Sequence, residues 1–527
     1  MKIIKNGEEA RERLKKGVSA IAEAVTSTLG AAGRGVIIDE INGNPYITAD
    51  GITVAEAFEL EAPVEQTGVA LVKNVCREAN SESGDGTTTA ICLADAMLTM
   101  DASVKGYSPL LVKKGMDIAL EKVLYFLDQQ KRDIESPQQL IDIATISARN
   151  DRALGKLLAE AFEFIGKDGE ILIEENRKSK DEVEFITGYN INRGYWMDSF
   201  INNDKRQLCE LQDIAIILTD AEITEANVLH SMLEKLITDG QKNIVVIAQG
   251  MADKPLLMFQ TNITRGAFNG CFIQAPEFGE KQTKFLEDMG VFLGCKPILT
   301  YRGDSLSEFA IDKHVGHCER FVASKVMSVF INPQTTKETI DEYIKTLDET
   351  DEFTKQRVSK LSGRLAKLTV SANSPVEMRE KLDRLEDSKN AIRAALNEGF
   401  IPGGGIALLR VSETLRGKEV SDIEAINAGY NLVVNSLSAP LEKILSNLFG
   451  EDIDKIETIL QKIEKSTEFD FGYDVKNVKF VNMYEAGIID PVKVTKSSLK
   501  AAHSVVSTIL NTNVIIAITG ENGDLVL

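Results

Sequence analysis

Aromatic side chains are scarce in this sequence: they make up 6% of its 527 residues, and Trp196 is the only tryptophan. That leaves little material for a stacking platform under single-stranded nucleic acid. Positive charge is also short. Sixty Lys and Arg stand against 80 Asp and Glu, a net charge of −20, which argues against a protein that grips a phosphate backbone. The six cysteines (76, 92, 209, 271, 295 and 318) are scattered without a CxxC pair, so neither a zinc ribbon nor a disulfide framework is indicated. Apolar runs such as 244–248 and 514–518 fall far below the ~20 residues that span a bilayer. The N-terminus, MKIIKNGEEARERLKK, has no apolar leader and carries acids foreign to a transit peptide. These absences describe a soluble protein of a reducing, cytoplasmic compartment, with neither nucleic acid nor membrane as partner.

What is present reads as an ordinary globular mixture, 43% apolar and 27% charged, long enough for about three domains. Residues 8–29 carry Leu14, Val18, Ile21, Val25 and Leu29 at helical spacing. A glycine-rich break follows at 30–33. A hairpin is predicted over 35–48, with Asn42-Gly43-Asn44 as its turn. From about 64 to 128 the pattern is helical, interrupted once at 83–89. Another helix is predicted over 140–164 and a strand over 169–174. Between 188 and 364 strand-like runs (214–218, 243–248, 320–323, 329–331) alternate with amphipathic helices (226–238, 283–289), the texture of an α/β domain. Ser374, Pro375 and Glu377 read as N-cap, first helical residue and capping-box acid, with Gly399 closing that helix. The tail is helical again and ends on a strand over 513–519. Helix-rich texture at both ends with α/β texture between them suggests an inserted domain.

The sharpest chemical feature is Gly84-Asp85-Gly86-Thr87-Thr88-Thr89-Ala90, set between two helical segments. Its glycines permit close backbone approach, and the threonines open a helix whose free N–H groups attract an anion. Asp85 is a candidate Mg²⁺ ligand. The plain alternative is a turn that caps a helix. There is no GxxxxGK[ST], so any phosphate site here differs from a Walker A loop. Gly403-Gly404-Gly405 is weaker evidence on its own. Asp387 lies opposite the apolar stripe Met378, Leu382, Leu385, Ile392 and Leu396. It is either a solvated acid or, across a cleft, the group that orients the water attacking a γ-phosphate. Asp50, before Gly51, is either a second such acid or a turn aspartate. His314, His317 and Cys318 lack a second cluster to complete a tetrahedron; His230 and His503 read as structural.

TLGAAGRGV (28–36), TADGITV (48–54), GDGTTTA (84–90), ATISARND (144–151), NRGYWMDSF (192–200), RLEDSKNAIRAALNEGFIPGGG (384–405) and AGIIDPVKVTKSSL (486–499) together resemble the GroEL-type (group I) chaperonins, in order and over essentially the whole chain. The resemblance implies a multidomain α and α/β fold. A mostly helical equatorial ATPase domain would span 1–129 and 400–527, a small α/β intermediate hinge domain 130–187 and 365–399, and an inserted α/β apical domain 188–364. It implies ATP and Mg²⁺, with K⁺ compatible beside them. It also implies homo-oligomeric rings, usually of seven subunits, that enclose unfolded polypeptides, with a heptameric co-chaperonin as a further partner. By matching motif, the nucleotide would meet Thr28, Leu29, Gly30, Asp85, Gly86, Thr87, Thr88, Thr89 and Gly404, with Asp474, Ile488 and Asp490 toward the base and ribose. Asp85 would hold Mg²⁺, Asp387 would be the hydrolytic acid and Asp50 would assist it. Tyr195, Phe200, Leu233 and Leu256 would belong to the substrate face, and Gly188 and Gly399 would be hinges.

The sequence also departs from that family. Ala31 replaces a proline, Ala49 a lysine beside the phosphates, Arg149 and Asp474 asparagines, and Arg364 a hinge glycine. Ser199, His230, Gln260 and Thr261 make the apical face more polar, and the terminal 520–527 lacks a Gly-Gly-Met tail. ATP binding with slow or altered hydrolysis is the reading that follows. Its rivals are a divergent chaperonin-like scaffold or specialised binding protein with weak or no ATPase activity, and a small-molecule kinase using the same loop.

Overall fold

The two ends of the chain meet: strand Lys2–Asn6 pairs antiparallel with Val514–Ile518, Ile3 opposite Ala517. The computed structural model describes residues 2–39, 45–166, 169–175, 180–204, 206–347 and 351–518. The expected Asn42-Gly43-Asn44 turn and the 520–527 tail lie outside them. Among these described residues two compact units emerge, one of those up to 163 with 175 and 370–518, the other of 164–174 with 180–369.

The first unit is helical because its apolar residues recur every three or four positions. In helix Gly7–Thr26 the buried side chains include Leu14, Val18, Ile21 and Val25. They join helices Pro63–Ser83, Thr87–Thr99, Pro109–Gln130, Glu424–Ser436 and Val492–Asn511 around a core that includes Val69, Leu93, Met116, Val433 and Val506. Each such side chain contributes about 1.5–3 kcal/mol over an exposed one. A smaller cluster, with Ile406, Leu409, Leu441, Ile459 and Met483, packs under helices Ile406–Leu415, Ala439–Phe449 and Ile453–Glu464.

Two helix breaks differ from the sequence reading. The 64–128 stretch is interrupted a second time, by a 3-10 turn at Met100–Val104, before Pro109 restarts a helix. The 140–164 segment is two helices, Pro137–Ser147 and Arg152–Ile165, parted by Arg149 (φ 55°) and Asn150 (φ 66°) in the left-handed region. At the start of Pro375–Glu398, Ser374 Oγ accepts from Glu377 N–H at 3.1 Å. The Glu377 carboxylate takes the Asn373 N–H instead of completing the box at Ser374.

The second unit carries an eight-stranded sheet. From edge to edge it runs Asn269–Gln274, Asn243–Ala248, Cys209–Leu218, Val315–Ala323, Ser328–Pro333, Glu182–Ile191, Arg364–Val370 and Glu170–Glu175. The first three are mutually parallel, and the links from Cys209–Leu218 through to Arg364–Val370 are antiparallel. Tyr189, Ile216, Val246, Phe272, Phe292 and Phe321 fill its core. A buried ion pair lies within it: Arg357 Nε and Nη2 each donate to Asp288 at 2.7 Å, and Tyr343 Oη donates to the same carboxylate at 3.0 Å.

The residues assigned to a substrate face are placed differently from that expectation. Tyr195, Phe200 and Leu233 are buried in this core, and Leu256 is only partly covered. Leu233 lies on the inward stripe of helix Ala226–Thr238 with Leu229, Met232 and Leu236. Phe200 meets Phe259 edge-on at 5.9 Å. Leu257 and Trp196 are the exposed apolar groups beside them.

All six cysteines are free. Burial pushes the thiols of Cys76, Cys92, Cys295 and Cys318 up to about 12. Nδ1 of His314 accepts the Ala310 N–H at 3.1 Å, and among the described residues no helix is long and apolar enough to cross a membrane.

Candidate functional site

Thr87–Thr99 begins on Gly86, a residue with no side chain to cap it, so the first N–H groups of that helix are left for an outside acceptor. Gly86 adopts φ 91°. A Cβ there would collide with Ser498 Oγ and lie 2.8 Å from Val494 Cγ1. Ser498 Oγ in turn donates to the Gly86 carbonyl at 2.8 Å, which fixes the loop on helix Val492–Asn511. Asp85 accepts the Gly86 N–H at 2.5 Å and the Ser147 hydroxyl at 3.3 Å.

This loop opens onto a cavity of about 550 Å³ lined wholly by the first unit. Around its wall stand the Thr28-Leu29-Gly30 turn, Asp50, Asp85 to Thr89, Asp387, Gly404, Asp474, Ile488 and Asp490. Every nucleotide-site residue expected from the sequence therefore reaches one hollow. Asn447 Nδ2 donates to the Thr26 and Leu29 carbonyls at 2.9 Å, holding the first turn against helix Ala439–Phe449. Asp490 accepts the Gly404 N–H at 3.1 Å, with Gly404 at φ 63°.

The turn alternative left open for Asp50 is met by its hydrogen bonds. Asp50 caps helix Gly51–Ala57, accepting from Ile52 N–H at 3.3 Å and Thr53 N–H at 2.8 Å, yet it also lines the cavity. Asp474 accepts from Asn477 N–H at 3.1 Å and from its amide at 2.6 Å, so its carboxylate is engaged in a turn.

Burial sets the electrostatics, and acid crowding adds to it. Burial lifts Asp85, and Asp50 adds to it. Burial, then Asp85 and Asp50, holds Asp387 well above the carboxylate range. Asp490 is pushed up to about 6 by burial and Asp85. Asp383, not singled out in the sequence, is pushed up to about 6 by burial and Asp50. Its signal was available: Asp383 precedes Asp387 by four residues, one turn along the same helix face. Ser147 was likewise missed.

Such a donor set suits a divalent cation with phosphate. Among the described residues no three His, Cys, Asp or Glu converge as a complete metal set. Mg²⁺ characteristically takes only one or two carboxylates and fills its octahedron with phosphate and water. Exposed helix N–H groups beside raised carboxylates fit that division.

A family model described as the TCP-1/cpn60 chaperonin family matches residues 21–519. The chain belongs to that family. Its fold is the chaperonin fold, mixed helical and α/β. A crystal structure of the chaperonin gp146 from bacteriophage EL 2 (Pseudomonas aeruginosa), obtained in the presence of ATP-BeFx, superposes with a TM-score of 0.73. It is 21% identical to this chaperonin and covers 98% of this chain and 99% of that one. This likeness bears on the fold.

Proposed function

We propose that this chaperonin is an ATP-driven protein-folding machine of the group I type, and a divergent member of it. The observation that carries the reading is the cavity at the Thr87–Thr99 N-terminus, where Asp50, Asp85 and Asp387 converge in a chain of chaperonin fold. In this reading Thr28, Leu29, Gly30, Asp85 to Thr89 and Gly404 hold the phosphates, and Ile488, Asp490 and the Asp474 turn flank the base and ribose. Asp85 holds Mg²⁺, which screens phosphate charge when bound. Asp387, assisted by Asp50, orients and deprotonates the attacking water, general-base help typically worth 10²–10⁴-fold. A carboxyl held above its usual range by burial and acidic neighbours is matched to that task once cations neutralise those neighbours.

Hydrolysis would switch the protein between polypeptide-holding and releasing states. We assign 1–129 with 400–527 as equatorial, 130–187 with 365–399 as intermediate and 188–364 as apical. Seven-membered rings, unfolded-polypeptide clients, a heptameric co-chaperonin, K⁺ alongside Mg²⁺ and a cytoplasmic location complete the proposal. Because Tyr195, Phe200 and Leu233 are buried, Leu256 and the exposed Leu257 are the better candidates for client contact.

Steady-state phosphate release by the wild type and Asp387→Ala tests the reading. The expected result is turnover in the wild type and a loss of about a hundredfold or more in the variant. Wild-type turnover no faster than the variant's would favour the scaffold instead.

A further inference from the structure

The turn that parts helices Pro137–Ser147 and Arg152–Ile165 holds Arg149 and Asn150 at φ 55° and 66°. Neither is a glycine, and a left-handed L-residue costs roughly 1–2 kcal/mol. The strain is held in place locally. Arg149 N–H donates to the Ile146 carbonyl at 3.0 Å and Asn150 N–H to Thr145 at 2.7 Å, while Arg384 approaches Asp151 at 3.7 Å. The result is a basic side chain on the wall of the cavity that carries Asp50, Asp85 and Asp387.

Other cations line that cavity, among the described residues, but they are placed differently. Arg152 lies 3.9 Å from Asp142, and Lys476 is exposed on the turn after strand Phe471–Asp474. Arg149 alone of the three acts on the acids of the hydrolytic end, Asp387 most strongly among its acidic neighbours, then Glu380 and Asp50. Its nearest recorded ion pair, Nη1 to Glu380 at 4.0 Å, is at the outer limit of such a contact, so the guanidinium is free to turn toward a stronger anion. Ala49, beside Asp50 on the same wall, brings no charge.

We propose that Arg149 contacts the terminal phosphate of the bound nucleoside triphosphate and makes the site prefer a triphosphate over a diphosphate. This rests on the nucleotide-binding reading above. A triphosphate brings several negative charges to a wall already carrying Asp50, Asp85 and Asp387, and one divalent ion offsets only two of them. A planar guanidinium supplies the remaining positive charge and matches phosphate oxygens bidentately. A diphosphate presents nothing at that position and loses nothing when the arginine is removed.

The test is titration calorimetry of the full chain with Mg-AMP-PNP and with Mg-ADP, on the wild type, Arg149→Asn and Arg149→Lys. Asparagine tolerates the left-handed region, so the turn survives that change, and retained ADP binding reports an intact site. Arg149→Asn is expected to keep Mg-ADP affinity within about threefold while losing about 10- to 100-fold for Mg-AMP-PNP. Arg149→Lys should recover part of that loss. Equal losses for both nucleotides, or an unchanged preference, would overturn the role of Arg149 while nucleotide binding stands. A wild type that binds neither nucleotide would overturn the reading beneath it and this inference together.

Discussion

Asp383→Asn should stabilise the nucleotide-free protein, although it removes a charged surface-type residue from a helix. The carboxyl is raised from 3.8 to about 6, by burial first and by Asp50 next, against the pull of Arg379 and Arg149. A folded-state value above the unfolded one means that folding favours the protonated form. That advantage is complete below pH 3.8, fades as pH rises through about 6, and leaves the ionised acid penalised above it. The full displacement corresponds to about 3 kcal/mol. The side chain is half-buried, and solvent screening reduces this to about 1–2 kcal/mol. Asparagine keeps the shape without the charge, so the variant should melt about 2 °C higher at pH 8, and about half of that gain should vanish at pH 5. Thermal denaturation at one fixed protomer concentration reads it, since assembly shifts the midpoint by mass action. A lower midpoint at pH 8, or a gain of the same size at both pH values, would refute the claim that acid repulsion is stored at this site.

Gly86→Ala should lower the melting midpoint and weaken nucleotide binding. Its φ of 91° and the crowding by Ser498 and Val494 together predict about 2–4 kcal/mol, read by denaturation and calorimetry. In the second unit, Asp288→Ala should cost about 3–5 kcal/mol because Arg357 and Tyr343 lose a buried partner. The double variant with Arg357→Met should recover part of it in the same urea titration.

Much of this architecture is legible in the residues themselves. Apolar spacing marks helix Gly7–Thr26, and the 243–248 run coincides with strand Asn243–Ala248. Glycine and proline announce the break before Thr87 and the start at Pro375. What stays hidden has physical causes. The turn at Arg149 and Asn150 uses left-handed residues without glycine or proline, so nothing local announces it, and 140–164 reads as one helix. Leu233 and His230 sit three positions apart on one helix; only packing shows that the leucine points inward and the histidine outward. Asp50 satisfies two readings at once, because both its oxygens accept cap hydrogen bonds while the residue still lines the cavity with its charge.

The same reasoning explains why the site is assembled from places where regular structure stops. A helix interior has no spare N–H groups and a sheet interior has no room for a phosphate. The hairpin end at Asp50, the uncapped start at Thr87, the strained turn at Arg149 and the Gly404 bend each free a backbone or side-chain group toward one hollow. Bringing those ends together also concentrates the acids found there, with Asp85, Asp387 and Asp490 all raised, and Asp383 one turn before Asp387 raised as well. Burial raises them first, and like-charge repulsion among them adds to it. On the function proposed above, a phosphate and its cations filling the cavity would turn the same carboxylates into ligands and bases. Binding therefore relieves strain that folding built in, and free energy that distinguishes the empty from the filled state is what a ligand needs to shift a conformational equilibrium.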